Sequence, residues 1–243
     1  MKNFKNLLLA GLVMGSLTLT GCLHILEEVT FYNSGKGSYS MILDMSEVKG
    51  MIDMLKNMSP DSTDVEMEDD GQDNSMAQMG QELSGVAATL KNLEGITNVM
   101  EVNDTAAYKF GYTFEFANVA ALNRALKVVN KDKYGSKVDE VFHFSGKKFE
   151  RLNTGDMGAE IKKALSENED EEGGDEAMDM MKMMFSEMSY KQVYHFPDRK
   201  IKKSSNGLTE LSDDDHTMTI LIKPFDEEQL KNKASIATQV KLK

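Results

Sequence analysis

The sequence predicts an α+β fold, with largely antiparallel sheets and helices packed on one sheet face. Three observations predict it. Short stretches alternate apolar and polar residues and are bounded by Gly, Asn and Asp, the pattern of half-buried strands joined by turns. Other stretches repeat apolar residues at three- and four-residue spacing, the mark of a helix with one buried face. The last third of the chain is rich in β-formers separated by Pro, Asn-Gly and Asp runs.

Taken in order, residues 25–32 read as a strand, Asn33-Ser34-Gly35-Lys36-Gly37 as a tight reversal, and Ser38 to Asp44 as the returning strand. Ser46 is placed to cap a helix carrying Val48, Met51, Ile52, Met54 and Leu55. A second helix is expected from about Met76 to Leu93, stopped by Gly95. Strands at 97–103 and 107–116 follow, the latter with Tyr108, Phe110, Tyr112, Phe114 and Phe116 on one face, and then a helix at 118–130. The second half shows a hairpin around Ser145-Gly146, a helix near 156–165, a Met-rich helix, and strands at 190–196, 200–204, 217–223 and 234–242. Two local matches suggest that halves 25–130 and 137–243 repeat one ββαα-ββα unit. Phe31 to Lys36 is similar to Phe142 to Lys147, and Phe116 to Ala125 to Phe225 to Ala234.

Ahead of this domain, Lys2 and Lys5 precede an apolar stretch from Leu7 to Leu19, the order of a secretory signal peptide at residues 1–21. Gly11, Gly15, Ser16 and Thr18 interrupt it, and it is shorter than the ~20 apolar residues a membrane span needs. It closes on Leu19-Thr20-Gly21-Cys22, which resembles the lipobox of bacterial lipoproteins. That resemblance implies cleavage before Cys22, a diacylglyceryl thioether on its sulfur and a further acyl chain, such as palmitate, on the new amino group. At roughly 0.8 kcal/mol per buried methylene, two or more chains hold a protein on a bilayer lastingly. Residues 22–243 would form the anchored domain, stabilised without disulfides because Cys22 is the sole cysteine. Leu23 after the cysteine favours the outer membrane in a Gram-negative host, on its periplasmic face rather than the cell surface. Glu27-Glu28 resembles, several residues late, the acidic surface-export signal of some Bacteroidetes lipoproteins.

The formal charge is −12, and its distribution is uneven. Residues 60–75 carry Asp61, Asp64, Glu66, Glu68, Asp69, Asp70 and Asp73 with no base, and residues 167–179 are equally one-sided. Such runs bury too little apolar surface to offset ordering entropy, so both read as solvated acidic loops on a nearly neutral body. They disfavour nucleic-acid binding, which needs a basic surface.

Asn33 to Met41 followed by Asp44-Met45-Ser46 resembles the start of LppM-type lipoprotein domains. Tyr194-His195-Phe196-Pro197, Ser204-Ser205-Asn206 and Ser212-Asp213-Asp214 leading into 217–222 are similar to their later part. The resemblance implies an α+β envelope module with lipid contact and carries over no catalytic residue. The two acidic inserts depart from that pattern.

Candidate chemistry is sparse. Asn168, Asp170, Glu172, Gly173, Glu176 and Asp179 fall at the ligand offsets of an EF-hand-like loop, although Asn opens it and Asp replaces the closing bidentate Glu. Met178, Met181, Met184 and Met188, with Phe185, trace one helical face. Core packing is the first reading of this face, a pliable apolar groove for lipid or a partner the second, and a Cu(I) site the third. His24, His143, His195 and His216 are scattered without ligand spacing, and Gly35 to Ser38 reads as a hairpin turn rather than a phosphate loop. The expected protein is therefore a non-catalytic, lipid-anchored envelope protein, binding a partner protein or an apolar or lipid ligand, with no cofactor beyond the lipid on Cys22. A calcium-responsive module built on the acidic loops and an enzyme are the alternatives.

Overall fold

The computed structural model describes residues 23–47, 49, 85–129, 140–152, 188–226, 228–229 and 235–243. In chain order the strands are β1 (His24–Phe31), β2 (Gly37–Asp44), β3 (Ile96–Asp104), β4 (Lys109–Phe116), β5 (Phe142–Phe144), β6 (Lys148–Arg151), β7 (Ser189–His195), β8 (Ile201–Ser204), β9 (Thr209–Leu211), β10 (Thr217–Ile222) and β11 (Thr238–Leu242). Residues 85–90 are helical, labelled α1, and Val119–Val129 form a further helix, α2. The strands make a mixed seven-stranded sheet, ordered β3-β4-β2-β1-β7-β10-β9, and an antiparallel four-stranded sheet, β5-β6-β11-β8.

The first hairpin pairs His24 with Asp44 through to Phe31 with Gly37. Its turn closes by Tyr32 N–H donating to Lys36 O (2.9 Å) and Gly35 N–H to Tyr32 O (2.8 Å), with Gly35 at φ 81°. That left-handed conformation favours glycine. β1 then pairs in parallel with β7, from His24 beside Ser189 to Thr30 beside His195. This long-range junction joins the two halves of the chain in one sheet and makes an otherwise antiparallel sheet mixed.

The register stacks side chains in rungs on the inner face of the large sheet. Phe114, Tyr39, Val29, Tyr194 and Met218 form one rung, and Tyr112, Met41, Glu27, Gln192 and Ile220 the next. The small sheet covers this face over β1 and β7, where the buried rings of Phe31, Phe149 and Phe196 lie 5.2 to 6.2 Å apart. α2 covers the β3–β4 side with buried Ala121, Leu122, Ala125 and Leu126. Each large apolar side chain so buried contributes roughly 1.5–3 kcal/mol, and the contiguous cluster replaces the absent disulfides as the source of stability. Asn118 caps α2 by accepting from Ala121 N–H at 2.9 Å. Asn123, buried in the middle of α2, ties the helix to the small sheet. Its Oδ1 accepts from Val141 N–H and Phe142 N–H, each at 3.0 Å, and its Nδ2 donates to Phe142 O at 2.8 Å.

Several expectations are corrected. Tyr108 sits in the turn before β4 with φ 54°, off the aromatic face it was expected to share. At the start of the helical residues after β2, Asp44 Oδ1 accepts from Ser46 N–H at 3.0 Å, and residue 48, to which a capping Ser46 would bond, lies outside the described residues. β9 is a strand that was not expected, a three-residue edge too short to show periodicity. The proposed repeat does not extend to strand order. The first half contributes the contiguous run β3-β4-β2-β1, whereas strands of the second half are divided between both sheets. In the first hairpin β2 pairs with β4, but in the second β6 pairs with β11, and β10 goes to β7 and β9.

Candidate functional site

The densest polar constellation among the described residues lies between the two sheets. β1 buries alternate residues, and its inward phase runs Glu27, Val29, Phe31, so a carboxylate enters the core on a strand whose neighbouring inward positions are apolar. β6 buries Phe149 and Arg151 in the same alternation and carries a guanidinium in from the opposite sheet. Glu27 is 2% exposed and Arg151 5%.

They meet in a bidentate pair. Arg151 Nε donates to Glu27 Oε1 at 3.0 Å and Arg151 Nη2 to Oε2 at 2.9 Å. Tyr190 and Tyr194, both on the inner face of β7, donate to Oε2 at 2.6 Å and Oε1 at 2.9 Å. Tyr39 reaches Oε2 more loosely at 3.5 Å. The guanidinium carbon lies 5.6 Å from the Phe142 ring centroid, over its face. Burial works to raise the Glu27 pKa, but the Arg151 charge and the bonds from Arg151, Tyr190 and Tyr194 outweigh it and hold the carboxyl below its usual range. Burial and then the Glu27 charge push the Tyr39 and Tyr194 phenols well above theirs. The carboxylate therefore stays ionised and the phenols neutral, a fully bonded arrangement with no proton poised for transfer.

Gln192 stands beside Glu27 in the β1–β7 register, fully buried; neither its Nε2 nor its Oε1 meets a protein partner at full hydrogen-bond geometry, and its side chain approaches the Tyr190 hydroxyl closely enough to draw that phenol's pKa down against the larger rise from burial.

A second constellation lies on the other face of the large sheet. His195 Nε2 is 2.7 Å from Glu28 Oε1, and its Nδ1 is 2.9 Å from Thr217 Oγ1. Carboxylate, imidazole and hydroxyl in this order are the elements of a general-base relay. An acyl-transfer site also needs donors for an oxyanion. Thr217 N–H already donates to Ser212 Oγ at 3.0 Å, and β10 is paired on both sides. The three side chains bridge β1, β7 and β10 across the outer face of their junction.

Of the residues singled out from sequence, Met188 is buried at 3% exposure just ahead of β7, where a core methionine belongs. Cys22, Met178, Met181, Met184, Phe185, and the candidate calcium ligands Asn168, Asp170, Glu172, Glu176 and Asp179 lie outside the described residues. Among the described residues no group of three His, Cys, Asp or Glu side chains is arranged to hold a metal ion, and no helix is long and apolar enough to cross a membrane. Of the Glu27-Glu28 pair, Glu27 points into the core and Glu28 faces outward. The signal that sequence reasoning passed over was the phase of Glu27 and Arg151. Each occupies the buried step of an alternating strand, and a charge there demands an opposite charge from elsewhere in the chain.

No protein-family pattern matches the chain, and no curated protein matches its sequence. Its fold is similar to the solved structure of the folded domain of LppM from Mycobacterium tuberculosis. The TM-score is 0.38 at 11% identity, covering 90% of this chain and 88% of that one.

Proposed function

We propose that this protein is a non-catalytic envelope lipoprotein, held on a membrane by lipid on Cys22, whose folded domain binds a partner protein or an apolar ligand at its surface. The observation that carries the non-catalytic part is the state of the Glu27–Arg151–Tyr190–Tyr194 cluster. These are the residue types an acid–base site would use, yet they bond one another at almost no exposure, so a substrate has no approach to them. The cluster acts as an internal clamp between sheets and leaves function to the outside of the domain. The anchoring part rests on the lipobox-like Leu19 to Cys22, directly ahead of β1.

Native mass spectrometry of the chain purified from its own host, with and without calcium and Cu(I), tests this reading. A co-purifying lipid or protein supports it and identifies the ligand. A stoichiometric metal ion would instead promote the acidic run at 167–179 or the methionine face and displace it.

A further inference from the structure

The distance between the anchor and the fold determines how the domain stands on its membrane. Leu23, the residue after Cys22, is already part of the fold. Its side chain is buried, its carbonyl accepts from Ser189 N–H at 3.0 Å, and β1 begins at the next residue. No flexible linker separates the two. At ~3.3–3.6 Å of reach per residue, His24 lies within about 7 Å of the cysteine that would carry the lipid.

We infer that the end of the large sheet formed by the start of β1, the end of β2 and the turn 104–108 lies against the bilayer surface, an inference that rests on the anchoring reading above. The strand directions define this end. β1 and β7 start there, and β2, β3 and β10 finish there, with β4 starting again after the turn. Its chemistry suits a lipid headgroup layer. Tyr108 is held in a left-handed conformation at the turn, its carbonyl accepts from Met45 N–H at 2.9 Å, and the Lys49 ammonium lies 5.9 Å from its ring centroid. Lys109 pairs with Asp44 at 2.9 Å and remains half exposed. Tyrosine and lysine together are the residues that settle at a membrane interface, the ring at headgroup level and the ammonium in water. The opposite end, with the Tyr32–Lys36 turn, stands roughly 25 Å away along eight-residue β1.

The sole native cysteine is the acylation site, so one introduced cysteine gives a unique label. The experiment places a bimane on A106C or S34C in the full acylated chain, reconstituted on vesicles of phosphatidylethanolamine and phosphatidylglycerol carrying a headgroup spin label. Intact mass and flotation establish the anchor. The inferred orientation gives quenching at position 106 about threefold stronger than at 34, as their separation along β1 requires. Equal quenching on a floated, acylated chain overturns the orientation and leaves the anchor intact. A chain that is neither acylated nor floated overturns the anchoring reading and the orientation with it.

Discussion

Glu27 of β1 and Arg151 of β6 face each other across the gap between the two sheets, joined by hydrogen bonds of 3.0 and 2.9 Å. Removing one member leaves the other charge buried without compensation, which typically costs about 3–5 kcal/mol. Glu27→Leu and Arg151→Met should each destabilise the domain by that order in urea unfolding. The double variant should lose ~2–3 kcal/mol less than their sum, the coupling energy of the cycle. Adding Tyr190→Phe and Tyr194→Phe should recover more stability, because their hydroxyls then no longer lie buried without their acceptor. Strict additivity of the two single losses would show that the pair is not coupled in solution.

The same cluster sets an acid limit on stability. The Glu27 carboxyl is held below its ordinary 4.5 in the folded protein. Its contribution is therefore fully present above that ordinary value and is lost as pH falls through the lower folded value. Below pH ~4.5, unfolding free energy should fall more steeply for the native chain than for the Glu27→Leu/Arg151→Met variant. The excess slope is at most one proton, about 1.4 kcal/mol per pH unit. Equal slopes would remove Glu27 from the acid transition.

An alkaline limit follows from four buried phenols. Tyr39, Tyr112, Tyr190 and Tyr194 are all raised above the ordinary value of 10.0, with burial the largest cause for each. A raised folded value means stability present below pH 10 and lost as pH rises above it, since only the unfolded chain releases these protons readily. Spectrophotometric titration of the seven tyrosines should show these four phenols ionising only as the chain unfolds. A single titration step of all seven near the ordinary value would contradict the buried cluster.

Much of the architecture was legible because it is local. Alternation marked β1, β2, β4, β7 and β10, and Gly35 and Gly146, both at positive φ, lie in the turns the sequence marked. The candidate site was not, because its members are distant along the chain. Glu27 and Arg151 are 124 residues apart, and neither strand reveals which sheet it will enter. That β1 takes β7 as its second neighbour, on the side away from β2, depends on the assembled core, and the local matches between halves carry no information about it.

Two glycines in the first hairpin should respond differently to alanine. At Gly37 an added Cβ would lie 1.7 Å from Thr30 O and 2.6 Å from Phe116 Cζ, so the hairpin backbone itself would have to move. At Gly35 nothing lies within 4 Å, and the only obstacle is φ 81°. Gly37→Ala should cost about 2–4 kcal/mol by overpacking and Gly35→Ala only about 1–2 by left-handed strain. Chemical denaturation of the two variants checks the order, and a Gly35 loss as large as that at Gly37 would contradict the tight β1–β2 approach.

Gln192 offers the reverse outcome, a substitution that stabilises. Its amide is fully buried beside Glu27 with no more than a loose approach to the Tyr190 hydroxyl, a burden of up to roughly 1–3 kcal/mol for each polar group left unpaired. Its neighbours Tyr190 and Tyr194 already bond Glu27, so the carboxylate does not depend on the amide. Gln192→Met keeps the volume and removes the unpaired groups, and it should raise Tm by about 2–4 °C for each kcal/mol gained in a domain of this size. A fall in Tm would mean that the amide is bonded in solution, as by an internal water, and that the core between the sheets is hydrated at this point.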